Sequence, residues 1–346
     1  MAKQIFFGFL VALAGSLIAV ALGTPIPWML GSLIFTAAFR VNGANIHCHV
    51  AFRKLGQWII GIALGLHFTP ETVQIIKTLL PYVIAGCVFA LAIGLVGSVI
   101  LYKLGRVDFV TAYFGSTVGG ASEMVVLAER HGSTNIPLVA SAHSLRVLLI
   151  VILIPFTYQF LGLKGDIGSQ VQLLDYSYLG LLKLLALTGI GCFILDRINA
   201  PNAMMLGGIL VTAALTANDI VFTHLQPEVQ QLGQLLLGWA LGSNYKPGFF
   251  KQAPRFFAAV TVMTLVYLML AFVFCVIVAK MSGIYFPTAV LAMSPGGLAE
   301  MAVTAKVLML GAPVVTSFQV SRLLFVLLTV GPSYKLFNKH LLRENR

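Results

Sequence analysis

The chain has 346 residues, of which 59% are hydrophobic and 10% charged, and its formal net charge at pH 7 is +11. Soluble domains carry about 25% charged residues, so the composition excludes a soluble globular protein and indicates a polytopic membrane protein. The basic residues lie in short loops between apolar segments, a pattern that the positive-inside rule explains without nucleic acid.

The apolar segments form two series of six along the chain. The first series lies at 5–22, 27–41, 53–69, 78–104, 108–130 and 135–162, and we interpret its first segment as an uncleaved span. The second lies at 176–195, 201–217, 228–244, 256–280, 284–308 and 312–335. A polar stretch separates the two series. We therefore predict a first membrane repeat over 1–165, an inter-repeat loop over 166–175 and a second membrane repeat over 176–346.

Paired phrases indicate that the two halves are copies of one unit. STVGGASEM at 116–124 matches MSPGGLAEM at 293–301, and LGQWIIGIALGLHFTP at 55–70 matches LGQLLLGWALGSNYKP at 232–247. In each half a Gly-Gly pair interrupts the fifth segment, and Ser, Thr or Pro stands beside it. Such a pair predicts a break in the helix, although close helix packing through small residues is an alternative interpretation.

The distribution of Lys and Arg distinguishes two topologies. Six crossings per half would place Lys246, Lys251 and Arg255 outside and make the halves parallel. The loop at 40–54 is basic whereas its counterpart at 218–227 is not, so the charge changes side between the copies. We therefore predict an all-α integral membrane protein with about ten transmembrane helices and two re-entrant Gly-Gly segments in a 5+5 inverted repeat. Both termini would be cytoplasmic.

Inverted repeats with a broken segment in each copy are typical of secondary transporters. Unwound backbone in a bilayer persists where it lines a wet cavity or touches a ligand. The helix leaving each break offers N–H groups to an anion, and the helix entering it offers carbonyl groups to a cation. We predict a transporter, and not an enzyme, for a small anionic organic solute. The solute would be coupled to H⁺ or Na⁺ and bound at the midplane between the broken segments.

Two glutamates follow the Gly-Gly pairs. Ionisable groups at membrane depth are costly and indicate function, so Glu123 and Glu300 could carry a coupling proton or ligate Na⁺. Each also stands three residues after a Gly that could be the helix N-cap, where an acid meets the helix dipole favourably. A salt bridge to an arginine is the third interpretation.

Two arginines lie near mid-membrane in the sixth segments. Arg146 and Arg322 each need an acid, a carbonyl or an anionic substrate there. His143 and Gln319 stand three residues earlier and share their helix faces. The complete set of predicted substrate- or ion-binding residues is Ser116, Thr117, Gly119, Gly120, Ser122, Glu123, His143, Arg146, Ser294, Pro295, Gly296, Gly297, Glu300, Gln319 and Arg322.

No pattern predicts a metal site or a cofactor. His47, Cys48 and His49 form the one cluster of metal-ligand residue types, and they have no Cys-x-x-Cys or acidic partner nearby. A nucleotide-binding loop is missing, which argues against an ATP-driven pump. We expect the lipid bilayer and a small-molecule or ion substrate as partners, no nucleic acid, and leave homo-oligomerisation open.

The duplicated Gly-Gly phrase, the repeated LGQ…G…ALG segment and the later Arg of each half resemble the bacterial AbrB-type membrane proteins over essentially the whole chain. The resemblance implies the bacterial cytoplasmic (inner) membrane. Members are labelled ammonia monooxygenases or regulators of gene expression, and they are unrelated to the small DNA-binding proteins of the same name. Scattered histidines fit copper or iron oxidation chemistry poorly. A regulatory role remains the alternative and would be indirect.

Overall fold

The computed structural model describes residues 2–165, 176–249 and 253–344, with no side-chain description beyond residue 337. All regular secondary structure in these ranges is helical. The helices whose two ends are described are α1 (Ala2–Ala21), α2 (Pro27–Val41), α3 (Val50–Gly65), α4 (Pro70–Thr78), α5 (Leu80–Gly105), α6 (Phe109–Ser116), α7 (Ala121–Arg130), α8 (Ile136–Phe160), α9 (Tyr178–Arg197), α10 (Ala203–Thr216), α11 (Pro227–Gly242), α12 (Pro254–Ser282), α13 (Phe286–Met293), α14 (Leu298–Val307) and α15 (Ala312–Glu344).

Six of the described helices are long and apolar enough to cross a membrane. They are α1, α5, α8, α9, α12 and the part of α15 from Ala312 to Phe337. A further apolar pair, α3 and α4, is bent by 90° at a short break, and α2 and α10 are apolar but shorter. The protein is therefore a multi-pass helical membrane protein, as the composition predicts. The total of ten crossings and the 5+5 inverted arrangement remain predictions.

The helices form two compact units, and each unit draws on both halves of the sequence. The first unit contains Met1–Thr78, Val151–Gln252 and Ala299–Val314; the second contains Leu79–Ile150, Ala253–Leu298 and Val315–Arg346. The boundary therefore falls within α8, α14 and α15. The predicted division at 166–175 follows the sequence repeat and lies outside the described residues.

In the first unit, corresponding helices of the two halves make corresponding contacts. Helix α1 packs on α2 as α9 packs on α10, and α2 packs on α11 as α10 packs on α3. Helices α3 and α11, which correspond to each other, are also in contact. The duplication read from the sequence is thus repeated in the helix packing of this unit.

The repeated LGQ segment contains a close-packing motif. Helix α3 presents Gly61 and Gly65 to α10, and α11 presents a pair of glycines at the same four-residue spacing to α2. A Cβ atom on Gly61 would lie 2.5 Å from the carbonyl oxygen of Met205, and one on Gly242 would lie 2.7 Å from that of Leu33. Only hydrogen fits at these positions, so the backbones approach as GxxxG helices do in membranes.

The second unit contains both Gly-Gly pairs and the short helix that enters each of them. Helix α5 packs on α6 and α12, and α12 packs on α13. Helix α6 begins at an N-cap aspartate, Asp108, whose Oδ1 accepts from the Thr111 amide at 2.9 Å. The Thr134 hydroxyl donates to Asp108 Oδ2 at 2.6 Å, which ties the start of α6 to the loop before α8. This unit therefore holds the helix that enters each break, packed against a long apolar helix.

Candidate functional site

Each Gly-Gly phrase interrupts a helix. Residues 117–120 separate α6 from α7, and residues 294–297 separate α13 from α14. Thr117 and Ser294, the residues that end α6 and α13, both have φ −57° and ψ 137°. The interruption predicted for both phrases is therefore present, and the chain leaves the two helices in the same backbone conformation.

The first glycine pair does not serve a left-handed backbone, and a Cβ atom at either glycine would meet the end of a flexible side chain. Among the described residues, none of the four break glycines has a positive φ. A Cβ atom on Gly120 would collide with the carboxyl group of Glu123, and one on Gly119 would lie 3.1 Å from the side chain of Met124. Glu123 thus lies over the N-cap residue of α7, the position expected for a capping carboxylate.

Arg146 closes the first break. Its Nη1 donates to the carbonyl oxygens of Ser116 at 3.2 Å and Thr117 at 2.8 Å. The hydroxyl of Tyr267 donates to the same Ser116 oxygen at 2.8 Å. Arg146 and Tyr267 are both buried. The guanidinium therefore supplies positive charge at the negative end of the α6 dipole, where the last carbonyls have no helical partner.

Arg322 closes the second break in the same way. It donates through Nη1 to the carbonyl oxygen of Ser294 at 2.6 Å and through Nη2 to that of Gly296 at 2.9 Å. Arg322 is also buried. Of the partners that the sequence left open for each arginine, backbone carbonyls are the ones that the structure provides.

His143 and Gln319 support these arginines. His143 Nε2 lies 2.9 Å from the Phe114 carbonyl, and its Nδ1 lies 3.1 Å from Arg146 Nη2. Because a guanidinium can only donate, Nδ1 must accept and Nε2 must carry the proton. Gln319 repeats this pattern, since Nε2 donates to the Leu291 carbonyl at 2.9 Å while Oε1 accepts from Arg322.

Neither arginine has a carboxylate partner in the described part of the chain. Lys54 and Asp196 form the one ion pair among the described side chains, at 3.0 Å. The Nε atoms of Arg146 and Arg322 are buried and have no hydrogen-bond partner there. The positive charge of each guanidinium is therefore not balanced by a described carboxylate.

The hydroxyl groups of the breaks donate to nearby backbone. Ser116 donates to the Gly94 carbonyl at 2.9 Å, Thr117 to the Tyr113 carbonyl at 2.7 Å, and Ser294 to the Val290 carbonyl. These hydroxyls can still accept a hydrogen bond, but their protons are engaged. Ser122 is exposed on α7, whereas Pro295 is buried in the second break.

The two glutamates have different surroundings. Glu300 is 6% exposed and lies in the first unit. Glu123 is half-buried and lies in the second unit. Neither forms an ion pair with a described residue. Although they are equivalent in sequence, these two carboxyl groups are not equivalent in structure.

Tyr267 is a site residue that sequence reasoning missed. It lies in α12, within an ordinary apolar segment, and its counterpart in the first half is Ala90. A buried tyrosine usually finds a hydrogen-bond partner for its hydroxyl, so a tyrosine in mid-span was the available signal.

The loop containing His47, Cys48 and His49 has little metal-binding character. No group of three His, Cys, Asp or Glu side chains among the described residues could hold a metal ion. Burial raises the pKa of the Cys48 thiol to about 12, and Arg53 opposes this shift. A thiolate, the form that binds metals, is therefore disfavoured at Cys48.

Among the described residues, six helices long and apolar enough to cross a membrane define a multi-pass helical membrane protein, and its second unit holds two buried arginines at two helix breaks. The chain belongs to the family described as transition state regulatory protein AbrB, which matches residues 28–338. It is 27% identical over 375 residues to "Uncharacterized protein YhjN" of Bacillus subtilis (strain 168), covering 99% of this chain and 95% of that protein. It is 24% identical over 320 residues to "Putative regulator AbrB" of Escherichia coli (strain K12), covering 92% and 91%. No solved structure matches the chain.

Proposed function

We propose that this protein is a secondary transporter for a small anionic organic solute, coupled to H⁺ or Na⁺, with the solute bound near the membrane midplane between the two breaks. The observation that carries the proposal is the pair of buried guanidinium groups of Arg146 and Arg322. Each is anchored at a helix break and neither has a carboxylate partner among the described residues. Uncompensated charge inside a membrane is costly and is characteristic of substrate or ion pathways.

The geometry suits a carboxylate or another small oxyanion. Both arginines are held by carbonyl groups through their Nη atoms, and each keeps a buried Nε–H group without a described partner. In the same unit the N-cap residue of α7 is Gly120, which has no side chain to occupy the backbone N–H groups of the first turn. Helix N-termini and guanidinium groups are the groups that commonly bind anions.

The proposal also includes the architecture of the chain and its place in the cell. Two broken segments with a shared backbone conformation, and corresponding helix contacts in the two halves, support a duplicated transporter fold with re-entrant segments in inverted repeats. We place the chain in the bacterial cytoplasmic membrane with both termini in the cytoplasm. We also propose that it is not an enzyme, that it needs no cofactor or nucleic acid, and that homo-oligomers are compatible with this activity.

The direct test is ligand binding followed by counterflow. Detergent-purified protein is melted with a panel of organic anions, such as acetate, lactate, succinate and glutamate, and with their neutral amides. An anion that raises the melting temperature is then used as the labelled probe for counterflow in proteoliposomes.

We expect the stabilising ligand to be an anion, and Arg146→Gln and Arg322→Gln to lose both its stabilising effect and its counterflow. Equal stabilisation by the neutral amide would contradict the anion assignment. Absence of counterflow for every stabilising ligand would contradict transport.

A regulatory role is the second candidate, and the name "Putative regulator AbrB" of the Escherichia coli relative favours it. In this chain regulation would be indirect, through a transported metabolite or a cytosolic partner. The test is a deletion strain whose gene expression is altered. If the Arg322→Gln variant restores normal expression in that strain, regulation does not depend on transport. Complementation by the wild type alone would connect the two.

A further inference from the structure

The two breaks end in the kind of carbonyl cluster that coordinates cations in transporters with broken helices. At the first break the oxygens of Ser116 and Thr117 point to Arg146. At the second, the oxygens of Ser294 and Gly296 point to Arg322. Both positions already hold a positive charge that belongs to the protein.

Neutral donors complete each cluster. Tyr267 shares the Ser116 oxygen with Arg146. Gln319 Nε2 also reaches the Ser294 oxygen, at 3.2 Å. A carbonyl oxygen has two lone pairs, and the oxygens of Ser116 and Ser294 each accept two donors. The other carbonyl oxygen of each cluster accepts from the guanidinium, whose positive charge repels a second cation.

We propose that each break is a cation site filled by the protein's own guanidinium, so that the breaks bind an anion and no Na⁺ takes part there. The inference rests on the proposed function only in taking the breaks as the ligand site. It excludes Na⁺ as the coupling ion at the breaks. Coupled uptake would then use a proton or the exchange of one anion for another. It also assigns Arg146 and Arg322 a dual role, because the same group completes the backbone of the break and attracts the solute.

The test is a thermal melt of the purified full-length protein in NaCl and in choline chloride at equal ionic strength. The variants are Arg146→Ala and Arg322→Ala. Arg255→Ala is the matched control, because Arg255 also donates to a helix carbonyl, that of Leu104 at 2.8 Å, but is exposed. For the wild type and the control we expect the same melting temperature in both salts.

Each alanine variant should melt lower than the wild type in choline chloride. Its melting temperature should then rise with increasing Na⁺ or with added methylguanidinium, because either cation can enter the vacated site and stabilises by mass action. Arg322→Lys, which keeps the charge and is less disruptive, should lose stability without gaining any dependence on Na⁺.

Two results would overturn the proposal. One is a saturable, Na⁺-specific rise in the wild-type melting temperature that disappears in Thr117→Val or Ser294→Ala. The other is failure of both Na⁺ and methylguanidinium to stabilise either folded alanine variant. If the alanine variants do not fold, two measurements still test the proposal. They are the wild-type melting temperature in the two salts and the Na⁺ dependence of Arg322→Lys. None of these measurements involves transport, so a negative counterflow result would reject the proposed function and leave this inference standing.

Discussion

Gln319 stands in the second half of the chain where His143 stands in the first, and the two side chains make the same pair of contacts. Each donates through its Nε2 to a carbonyl of the short helix that enters the break, and each offers an acceptor to the arginine three residues later. An imidazole with its proton on Nε2 and a carboxamide therefore present the same donor and the same acceptor at these two positions.

Replacing His143 tests this equivalence. His143→Gln should keep both contacts and melt close to the wild type, whereas His143→Leu leaves a buried arginine N–H and the Phe114 carbonyl unsatisfied. Each unsatisfied buried group costs about 1–3 kcal/mol, so the leucine variant should melt clearly lower in detergent. His47→Leu is the control, because His47 is exposed. Equal melting temperatures for the glutamine and leucine variants would contradict the shared role.

The two glutamates should differ in their effect on transport. Glu300 is 6% exposed whereas Glu123 is half-buried. The charged form of Glu300 is therefore the more strongly desolvated and the more costly of the two. We expect Glu300→Gln to abolish uptake driven by a proton gradient while counterflow persists, and Glu123→Gln to reduce uptake only partly. The measurement is uptake of the labelled anion in proteoliposomes with and without a pH gradient. Unchanged driven uptake in both variants would remove the coupling role.

The glycine contacts between helices predict a size limit. A leucine at Gly61 or Gly238 would push α3 from α10 or α11 from α2, and overpacking of this kind typically costs about 1–3 kcal/mol, occasionally more. Gly331→Ala is the matched control, because no atom lies within 4 Å of a Cβ placed there. Alanine at that helical position should be neutral or stabilising by about 0.5–1 kcal/mol. Thermal melts monitored by size-exclusion chromatography provide the comparison.

We predict that the contribution of Asp108 to stability depends on pH. Asp108 lies in the loop before α6, outside the long apolar helices. Burial acts to raise the pKa of its carboxyl group, but hydrogen bonds from Thr111 and Thr134 outweigh burial and hold that pKa below its usual range. A carboxyl group whose folded-state pKa is lowered contributes stability in full above its unfolded value, about 3.9, and loses it as the pH falls toward the folded value.

Asp108→Asn should therefore melt lower than the wild type by a constant margin at neutral and mildly acidic pH, and the margin should shrink as the pH falls below about 4. Asp108→Ala also removes the N-cap, which is typically worth about 0.5–2 kcal/mol. Asp219→Asn is the control, because Asp219 is exposed. A margin that grows at low pH would show that the sign is wrong.

The sequence predicted which side chains of α8 and α15 lie together better than it predicted what the two arginines contact. Three-residue spacing placed His143 beside Arg146 and Gln319 beside Arg322, because helical geometry brings such residues to one face. The sequence could not choose among an acid, a carbonyl and an anion as the partner of each arginine. Backbone carbonyls exist at every residue and leave no signal in the amino-acid pattern.

The division into units was not predictable from the repeat. Repeated phrases separate a first half from a second, whereas the compact units combine helices from both. Long-range pairings such as that of α3 with α11 depend on which faces complement each other across the whole chain. The GxxxG spacing within the LGQ phrase was visible as a repeat, and only the structure showed which helix each glycine pair contacts.

The interleaving of the two units has a consequence for biogenesis. Tyr267, which donates a hydrogen bond to the Ser116 carbonyl, is synthesised 151 residues after it, and α15 is the last of the described helices to join the second unit. Neither unit can therefore close while the ribosome is still making the second half. In the nascent first half, the glycine face of α3 therefore has no partner until α10 has been synthesised. Transiently exposed faces of this kind favour misassembly during folding.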